Sequence, residues 1–231
     1  MNRRTPGEHV AVTHQVASVL LGYPDERLYD ARPVLAEAVT GLPDGPAATH
    51  LREFLAHLDV TPLPGLAAHY VEIFDFKRRC CPYLTYYTHG DTRKRGMALL
   101  RFKHAFRAAG FEISDGELPD HLAVVCELSG RGASREATRL LQEHRPGVEL
   151  MLRALEAESS PYAHVVAAVL ATLPPLGPRD RAALHKLAAE GPPPAEEVGL
   201  EPYGATTPQD FPGPLDGHLY APLEGQLEDH R

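Results

Sequence analysis

The apolar residues of this chain recur at helical spacing almost throughout, and this pattern restricts the fold more than any other feature of the sequence. Val12, Val16 and Leu20 follow one another at intervals of four residues, as on one face of a helix, and Gly22 then ends the run. No stretch alternates apolar and polar residues convincingly, as a half-buried β-strand does. The sequence therefore predicts an all-α fold, built as a single helical bundle domain.

Two helix starts are assigned from acidic residues and prolines. Asp30 is expected to cap the second helix after one short turn over residues 25–29, which places Pro33 in the first helical turn, where a missing N–H costs little. A later helix is expected over about residues 117–128, again with a proline, Pro119, in its first turn. Both assignments follow the usual position of proline near a helix N-terminus.

A helical pattern that opens at Ser134 contains a proline and a glycine in its interior. Pro146 and Gly147 are expected to interrupt this helix, because proline removes a backbone hydrogen bond, and the apolar pattern continues from Val148.

The longest predicted helix lies in the most basic part of the chain. Asp91 and Thr92 stand where a cap belongs, and Gly110 follows the last helical residue, Ala109. Residues 77–107 carry nine Lys and Arg, with Asp91 as their single acidic residue. Because the whole chain has a net charge of −8, its charge is strongly polarised.

Composition divides the chain near residue 190. Residues 191–231 contain eight prolines and six glycines and carry a net charge of −7, whereas residues 1–190 have a net charge of only −1. So many prolines and glycines do not allow regular structure over most of this segment. We expect an all-helical domain over 1–190 and an acidic, irregular and largely disordered tail over 191–231.

No run of residues approaches the roughly 18 apolar residues that a membrane-spanning helix requires. The chain has three cysteines, two of them adjacent, which are too few for a disulfide framework and fit a reducing compartment. We therefore expect a cytoplasmic protein with no membrane partner.

Aromatic side chains are concentrated between residues 70 and 93, around a predicted helix–loop–helix junction. A tyrosine ring buries a large area at low entropic cost while its hydroxyl still forms hydrogen bonds, so such a cluster suits a groove for an apolar ligand. A core contact between two helices is the alternative, and it is stronger for the first three rings because they continue a helical stripe. The cluster comprises Tyr70, Phe74, Phe76, Tyr83, Tyr86 and Tyr87, with Glu72 and Asp75 between them.

Adjacent cysteines permit a different function. Cys80 and Cys81 could serve a thiol or metal enzyme together with His89, and the preceding cations at 77–79 would favour a thiolate. Two neighbouring cysteines do not easily share one tetrahedral zinc ion, which usually takes a Cys pair separated by two to four residues. Structural cysteines are the simpler interpretation.

The excess of cations in residues 77–107 also resembles a nucleic-acid surface. No DNA- or RNA-reading motif accompanies it and the whole chain is acidic, so we expect no nucleic-acid partner. A solvated helix face, a contact with the phosphates of a bound cofactor and a contact with an acidic surface of a partner protein are the other interpretations. The glycines do not form the pattern of a phosphate-binding loop, which argues against nucleotide hydrolysis.

Four segments of the chain resemble the NarJ-type chaperones, the delta subunits that assemble respiratory nitrate reductase within the TorD-like family of redox-enzyme maturation proteins. The segments occur in the right order, span about 20–128, and leave a compatible helical remainder up to about 190. The third segment is specific, whereas the first alone would be a weak signal. They are residues Leu20–Asp25, Tyr70–Asp75, Tyr83–Gly96 and Leu118–Leu122.

The resemblance implies a TorD/DmsD-like helical bundle that has no catalytic activity and no cofactor of its own. It further implies binding to the N-terminal segment of the apo catalytic (alpha) subunit of respiratory nitrate reductase. This binding would keep the subunit competent for molybdenum cofactor insertion and complex assembly. Molybdenum cofactor delivery proteins are further candidate partners.

The resemblance also directs attention to a set of candidate peptide-binding residues. For Asp120 and His121 it implies a place in the hinge between two helical halves. A purely structural role is the alternative, with Asp120 favouring the helix dipole and His121 partly exposed. The candidate residues are Tyr70, Glu72, Phe74, Tyr83, Tyr86, Tyr87, Asp91, Arg93, Asp120 and His121.

Overall fold

The computed structural model describes residues 5–114, 116–191 and 193, and within these ranges the chain is helical and contains no β-strand. The prediction of an all-α fold is confirmed. The predicted tail lies almost entirely outside the described residues, and the domain boundary near 190 stays a prediction. The α-helices are α1 (Pro6–Leu20), α2 (Glu26–Thr40), α3 (Pro46–Val60), α4 (Leu63–Tyr70), α5 (Tyr86–His89), α6 (Arg93–Ala108), α7 (Leu122–Gly130), α8 (Ser134–Glu143), α9 (Arg145–Ala157), α10 (Tyr162–Ala171) and α11 (Pro178–Glu190). A π-helical turn over Val71–Asp75 directly follows α4, and a short 3₁₀ turn covers Arg78–Cys80.

One continuous apolar core holds these helices together. Helix α1 packs most extensively against α7, and α3 packs against α10, so helices that are far apart in the sequence meet in the core. Leu20, Phe54 and Tyr162 are among the large side chains that are fully buried there. Burial of each such side chain stabilises the fold by about 1.5–3 kcal/mol, which makes this core the main source of stability. None of the described helices is both long enough and apolar enough to span a bilayer.

Helix α2 begins earlier than the sequence suggests. Its N-cap is Asp25, whose carboxylate accepts a hydrogen bond from the Leu28 amide at 3.0 Å, so the predicted separate turn and the cap at Asp30 are wrong. Pro33 consequently lies inside the helix and offers no N–H to the Tyr29 carbonyl one turn earlier. The Nε of Arg32 donates to that carbonyl instead at 2.9 Å, which explains why the proline is tolerated.

Helix α7 begins later than predicted. Its N-cap is His121, and the residues from Gly116 to Asp120 form turns rather than a helix. The backbone before α7 is instead paired with the chain before α5: the Leu84 amide donates to the Asp120 carbonyl and the Leu122 amide to the Pro82 carbonyl, both at 2.9 Å. This tertiary pairing removes the segment around Pro119 from the helix.

Helix α6 and the α8–α9 junction agree with the sequence. Thr92 is the N-cap of α6, and Gly110 follows its end with φ at +84°, a left-handed conformation that glycine adopts without strain. Pro146 and Gly147 lie in the first turn of α9, which is separate from α8, so the predicted interruption is confirmed. Two separate helices, α8 and α9, therefore occupy the stretch in which the apolar pattern of the sequence is interrupted.

A candidate peptide-binding groove

An open groove of about 500 Å³ lies where α1 and α7 run beside each other and the junction between α4 and α5 approaches them. Its walls come from the C-terminal half of α1, the loop before α2, and the turn and first helical turns around the start of α7. Two tyrosines from the predicted aromatic cluster reach into it. The lining residues are Gln15, Ser18, Val19, Gly22, Tyr23, Tyr70, Tyr83, Gly116, Glu117, Leu118, His121, Ala123, Val124 and Glu127.

The ring of Tyr70 forms the floor of the groove beneath Tyr23. The two rings meet edge to face with centroids 5.6 Å apart, and the Tyr70 hydroxyl donates to the Leu21 carbonyl at 3.2 Å. Burial raises the pKa of Tyr70 to about 12, and the nearby Asp75 carboxylate adds to the rise. The phenol is therefore neutral at physiological pH and stays a hydrogen-bond donor.

Tyr83 and His121 form the opposite wall as one unit. Their backbones form an antiparallel bridge, and their rings meet edge to face with centroids 5.1 Å apart. Burial lowers the pKa of His121, so its ring is neutral at pH 7, and its Nδ1 accepts the Ala123 amide at 3.2 Å. The cap of α7 thus also fixes the orientation of a ring on the groove wall.

Asp120 lies behind this wall and is fully buried. Its Oδ2 accepts hydrogen bonds from the Thr85 amide at 3.2 Å and the Thr85 hydroxyl at 2.5 Å. The guanidinium of Arg95 lies 3.6 Å from the same oxygen and also pairs with Asp91 at 3.1 Å. Asp120 therefore acts as a clamp between α6 and the segment that carries Tyr83.

Three other candidate rings are buried in the interior. Phe74 packs against Tyr70 and Tyr162, with ring centroids 4.7 and 5.0 Å away. The Tyr87 hydroxyl donates to two backbone carbonyls at 3.0 Å, those of Arg79 and Cys81, and Tyr86 packs edge to face against Tyr87 at 5.8 Å. Phe74 therefore supports the groove from behind through Tyr70, and none of the three rings lines it.

The charged candidates Glu72, Asp91 and Arg93 are exposed, and none of them lines the groove. Asp91 pairs with Arg95, and Arg93 is the first residue of α6. The structure thus brings together Tyr70, Tyr83 and His121, and it leaves the other seven candidates behind the groove or away from it. Peptide binding by any of the ten residues stays a prediction.

Sequence reasoning missed the part of the groove that comes from α1 and from the turn before α7. Tyr23, with 60% of its surface exposed, and Leu118, with 40%, form apolar rims on either side. The sequence does contain one indication that Tyr23 belongs to a binding surface. Tyr23 directly follows the helix-ending Gly22, and a large aromatic side chain exposed in a loop is typical of an interaction site. Leu118 offered no comparable signal.

The two adjacent cysteines are poorly suited to a thiolate. Burial raises the pKa of both Cys80 and Cys81 to about 11, and the Glu158 carboxylate adds to the rise at Cys80. Lys77, which was expected to favour the thiolate, is 3.0 Å from Glu158 and largely neutralised by it. Within the described ranges, no group of three or more His, Cys, Asp and Glu is arranged to hold a metal ion.

Together these features define a helical bundle protein with an open groove lined by tyrosines. The family model described as nitrate reductase delta subunit matches residues 42–168, and the chain therefore belongs to the nitrate reductase delta subunit family. The prediction made from the four sequence segments is confirmed.

Three relatives illustrate the similarity. The chain is 39% identical to the nitrate reductase-like protein NarX of Mycobacterium tuberculosis over 167 residues, which are 72% of this chain but only 25% of NarX. It is 31% identical over 179 residues to the probable nitrate reductase molybdenum cofactor assembly chaperone NarJ of Bacillus subtilis, covering 73% of this chain and 92% of that protein. It is 30% identical over 150 residues to the nitrate reductase molybdenum cofactor assembly chaperone NarJ of Escherichia coli, covering 64% of each chain.

Proposed function

We propose that this chain is an assembly chaperone for molybdenum cofactor insertion into a nitrate reductase, and that it acts by binding rather than by catalysis. Family membership and the names of the two NarJ relatives support this role. The proposed client is the catalytic (alpha) subunit in its apo form, held in the cytoplasm by its N-terminal segment until the cofactor is inserted.

The observation that carries the proposed peptide binding is the open, tyrosine-lined groove. An amphipathic helix binds a groove by placing apolar side chains from one face, at positions such as i, i+3 and i+4, against apolar and aromatic walls. Tyr23 and Leu118 on the rims and Tyr70 and Tyr83 inside supply such walls. Tyrosine also offers hydroxyl groups to the polar edge of a bound helix.

Charge gives the groove a preferred ligand. Glu117 and Glu127 are the charged residues among those lining it, and Glu127 also pairs with Arg131 at 2.6 Å. Two carboxylates favour a peptide whose flanking residues are basic, and the exposed Glu72 would add to that preference. Because these carboxylates are not deeply buried, salt should weaken their contribution.

The remaining candidates would act indirectly or at the periphery. Phe74, Tyr86 and Tyr87 would hold the floor of the groove, and Asp120 would hold its wall. Asp91 and Arg93 would contact parts of the client beyond the helix in the groove.

Calorimetry with a synthetic peptide of the alpha subunit N-terminus tests the proposal. Tyr83→Ala removes a wall ring and should weaken binding at least about tenfold, or about 1.4 kcal/mol, as expected for an aromatic anchor. Phe76→Ala is the matched control, because Phe76 is 76% exposed and does not line the groove. Wild-type affinity in both Tyr83→Ala and Tyr23→Ala would show that the peptide binds elsewhere.

A further inference from the structure

Helix α6 presents to solvent a face that the groove does not use. Five exposed residues on this helix follow one another at alternating intervals of four and three, which is the spacing of a coiled-coil seam. They form a single stripe opposite the buried stripe of Ala98, Phe102, Ala105 and Phe106. The exposed stripe consists of Arg93, Met97, Leu100, His104 and Arg107.

Two apolar side chains occupy the centre of this stripe. Met97 has 66% and Leu100 has 47% of its surface exposed, and residues three apart on a helix are neighbours. One exposed apolar residue is ordinary on a protein surface. Here an adjacent pair lies at the middle of a helical stripe whose ends are cationic, an arrangement with an apolar centre and a polar rim, as in protein interfaces.

The charge around the apolar pair has one sign. Helix α6 contains six Lys and Arg and no acidic residue. Arg95 is held by Asp91 and Asp120. By contrast, no carboxylate in the described part of the chain forms an ion pair with four other cations of the helix. These four are Lys94, Arg101, Lys103 and Arg107.

We propose that this stripe of α6 is a docking surface for an acidic amphipathic helix of a partner protein. The 16 residues of α6 extend over about 24 Å, so about four turns of a partner helix can lie along them. Apolar side chains of the partner would cover Met97 and Leu100, and its flanking Glu or Asp side chains would pair with the cations on both sides.

Other occupants fit less well. A second copy of this chain would bring the cations of one α6 against those of the other, which is unfavourable. A nucleic acid would neutralise the cations but would place phosphates against Met97 and Leu100. The stripe shares no residue with the groove, and Arg93 at its end is its one residue with a proposed contact to the client. The docking surface centred on Met97 and Leu100 therefore goes beyond the proposed peptide binding and does not depend on it.

A designed peptide tests the chemistry of the surface. The probe is a stapled 16-residue helix with leucines along one seam and glutamates on both sides; a peptide of the same composition in scrambled order is its control. Fluorescence anisotropy on the full chain should show binding at least about tenfold tighter for the ordered peptide, and salt near 0.5 M should weaken it. Equal binding of both peptides would overturn the proposal.

Paired variants locate the site. Met97→Glu with Leu100→Glu should abolish binding of the ordered peptide. The matched control is Val34→Glu with Val60→Glu, which makes the same change at two exposed valines of α2 and α3. Unchanged binding in the α6 variant, or equal loss in the control, would overturn the assignment.

Photo-crosslinking in the host identifies the natural occupant. Benzoylphenylalanine in place of Leu100 should crosslink to an acidic helical segment of another protein, and mass spectrometry should identify that segment. A crosslink to a second copy of this chain or to nucleic acid, a crosslink to a basic segment, or no crosslink at all would overturn the proposal.

Discussion

The guanidinium of Arg95 lies over the ring of Tyr83, with its Cζ 5.2 Å from the ring centroid. The same side chain donates to the Thr85 hydroxyl at 3.2 Å and pairs with the buried Asp120. One cation on α6 therefore connects three residues that come from the loop before α5 and the turn before α7. The groove wall depends on a network whose centre lies outside the groove, so substitutions behind the wall should alter both stability and binding.

Removal of the Asp120 carboxylate should destabilise the protein strongly. Asp120→Ala leaves Arg95 and Thr85 without their buried partner, and breaking such a pair costs about 3–5 kcal/mol. Asp120→Asn keeps the shape and should cost less, about 1–3 kcal/mol. Urea unfolding measures both values. The control is Asp44→Asn, because Asp44 is exposed and its pair with Arg52 should contribute under about 1 kcal/mol. A cost for Asp120→Ala as small as that of the control would refute the clamp.

Gly147→Ala should destabilise the start of α9. A Cβ at this position would lie 2.9 Å from the Cβ of Tyr87 and 2.9 Å from a carbon of its ring, closer than packed atoms approach. We expect a loss of about 1–3 kcal/mol in the free energy of unfolding. Gly96→Ala is the control with the opposite expected sign: no atom of the described residues lies within 4 Å of a Cβ at that position on α6, and alanine should stabilise the helix by up to about 1 kcal/mol. Equal effects of the two substitutions would contradict the close approach.

The hydroxyl of Tyr87 should contribute measurably to stability. It donates to two backbone carbonyls, so Tyr87→Phe leaves these buried acceptors without that donor and should cost about 1–2 kcal/mol. The neighbouring Tyr86 forms no hydrogen bond through its hydroxyl to another described residue, so Tyr86→Phe should be close to neutral. Thermal and urea unfolding of the two variants compare them directly. A neutral Tyr87→Phe would mean that the two carbonyls find other partners.

His14 should make the protein less stable in mild acid. Burial lowers the pKa of His14 from 6.5 to about 4, and its Nε2 lies 2.8 Å from the Thr172 hydroxyl. The unfolded chain therefore binds a proton that the folded chain excludes. The free energy of unfolding therefore carries no penalty from His14 above pH 6.5. It decreases as the pH falls from 6.5 toward 4, by up to about 3 kcal/mol in total. Unfolding at a series of pH values should show that His14→Gln lacks this part of the decline. The same slope in both proteins would assign it to other groups.

The local sequence pattern predicts most helix positions correctly, but it fails where the backbone forms hydrogen bonds with a segment distant in the sequence. The stops at Gly110 and Pro146 depend on backbone chemistry within a few residues, and both were predicted correctly. Asp25 and Asp30 are both plausible caps before Pro33, and a side-chain hydrogen bond from Arg32 allowed the earlier one. The start of α7 was predicted too early because residues around Asp120 bond to the segment before α5, which no local signal reveals.

The aromatic cluster shows the same difference between what local sequence predicts and what tertiary contacts determine. Sequence alone located the rings near the groove, yet it could not separate Tyr83 on the wall from Tyr87 in the core. Their environments differ because each ring packs against a different distant helix. Tyr83 contacts His121 at the start of α7, whereas Tyr87 lies against Gly147 in α9. Charge near the cysteines was misleading for a similar reason, because Glu158, which directly follows α9, pairs with Lys77.

The π-helical turn over Val71–Asp75, directly after Tyr70, has a consequence for how this region can change. Such a turn accommodates one more residue than an α-helical turn does. Deleting one residue before Phe74 would return the turn to α-helical geometry, and it would move Phe74 back by one position, a rotation of about 100° around the axis. Phe74 would then point away from Tyr162. Insertions and deletions should therefore be far more harmful within this turn than in the surface loops.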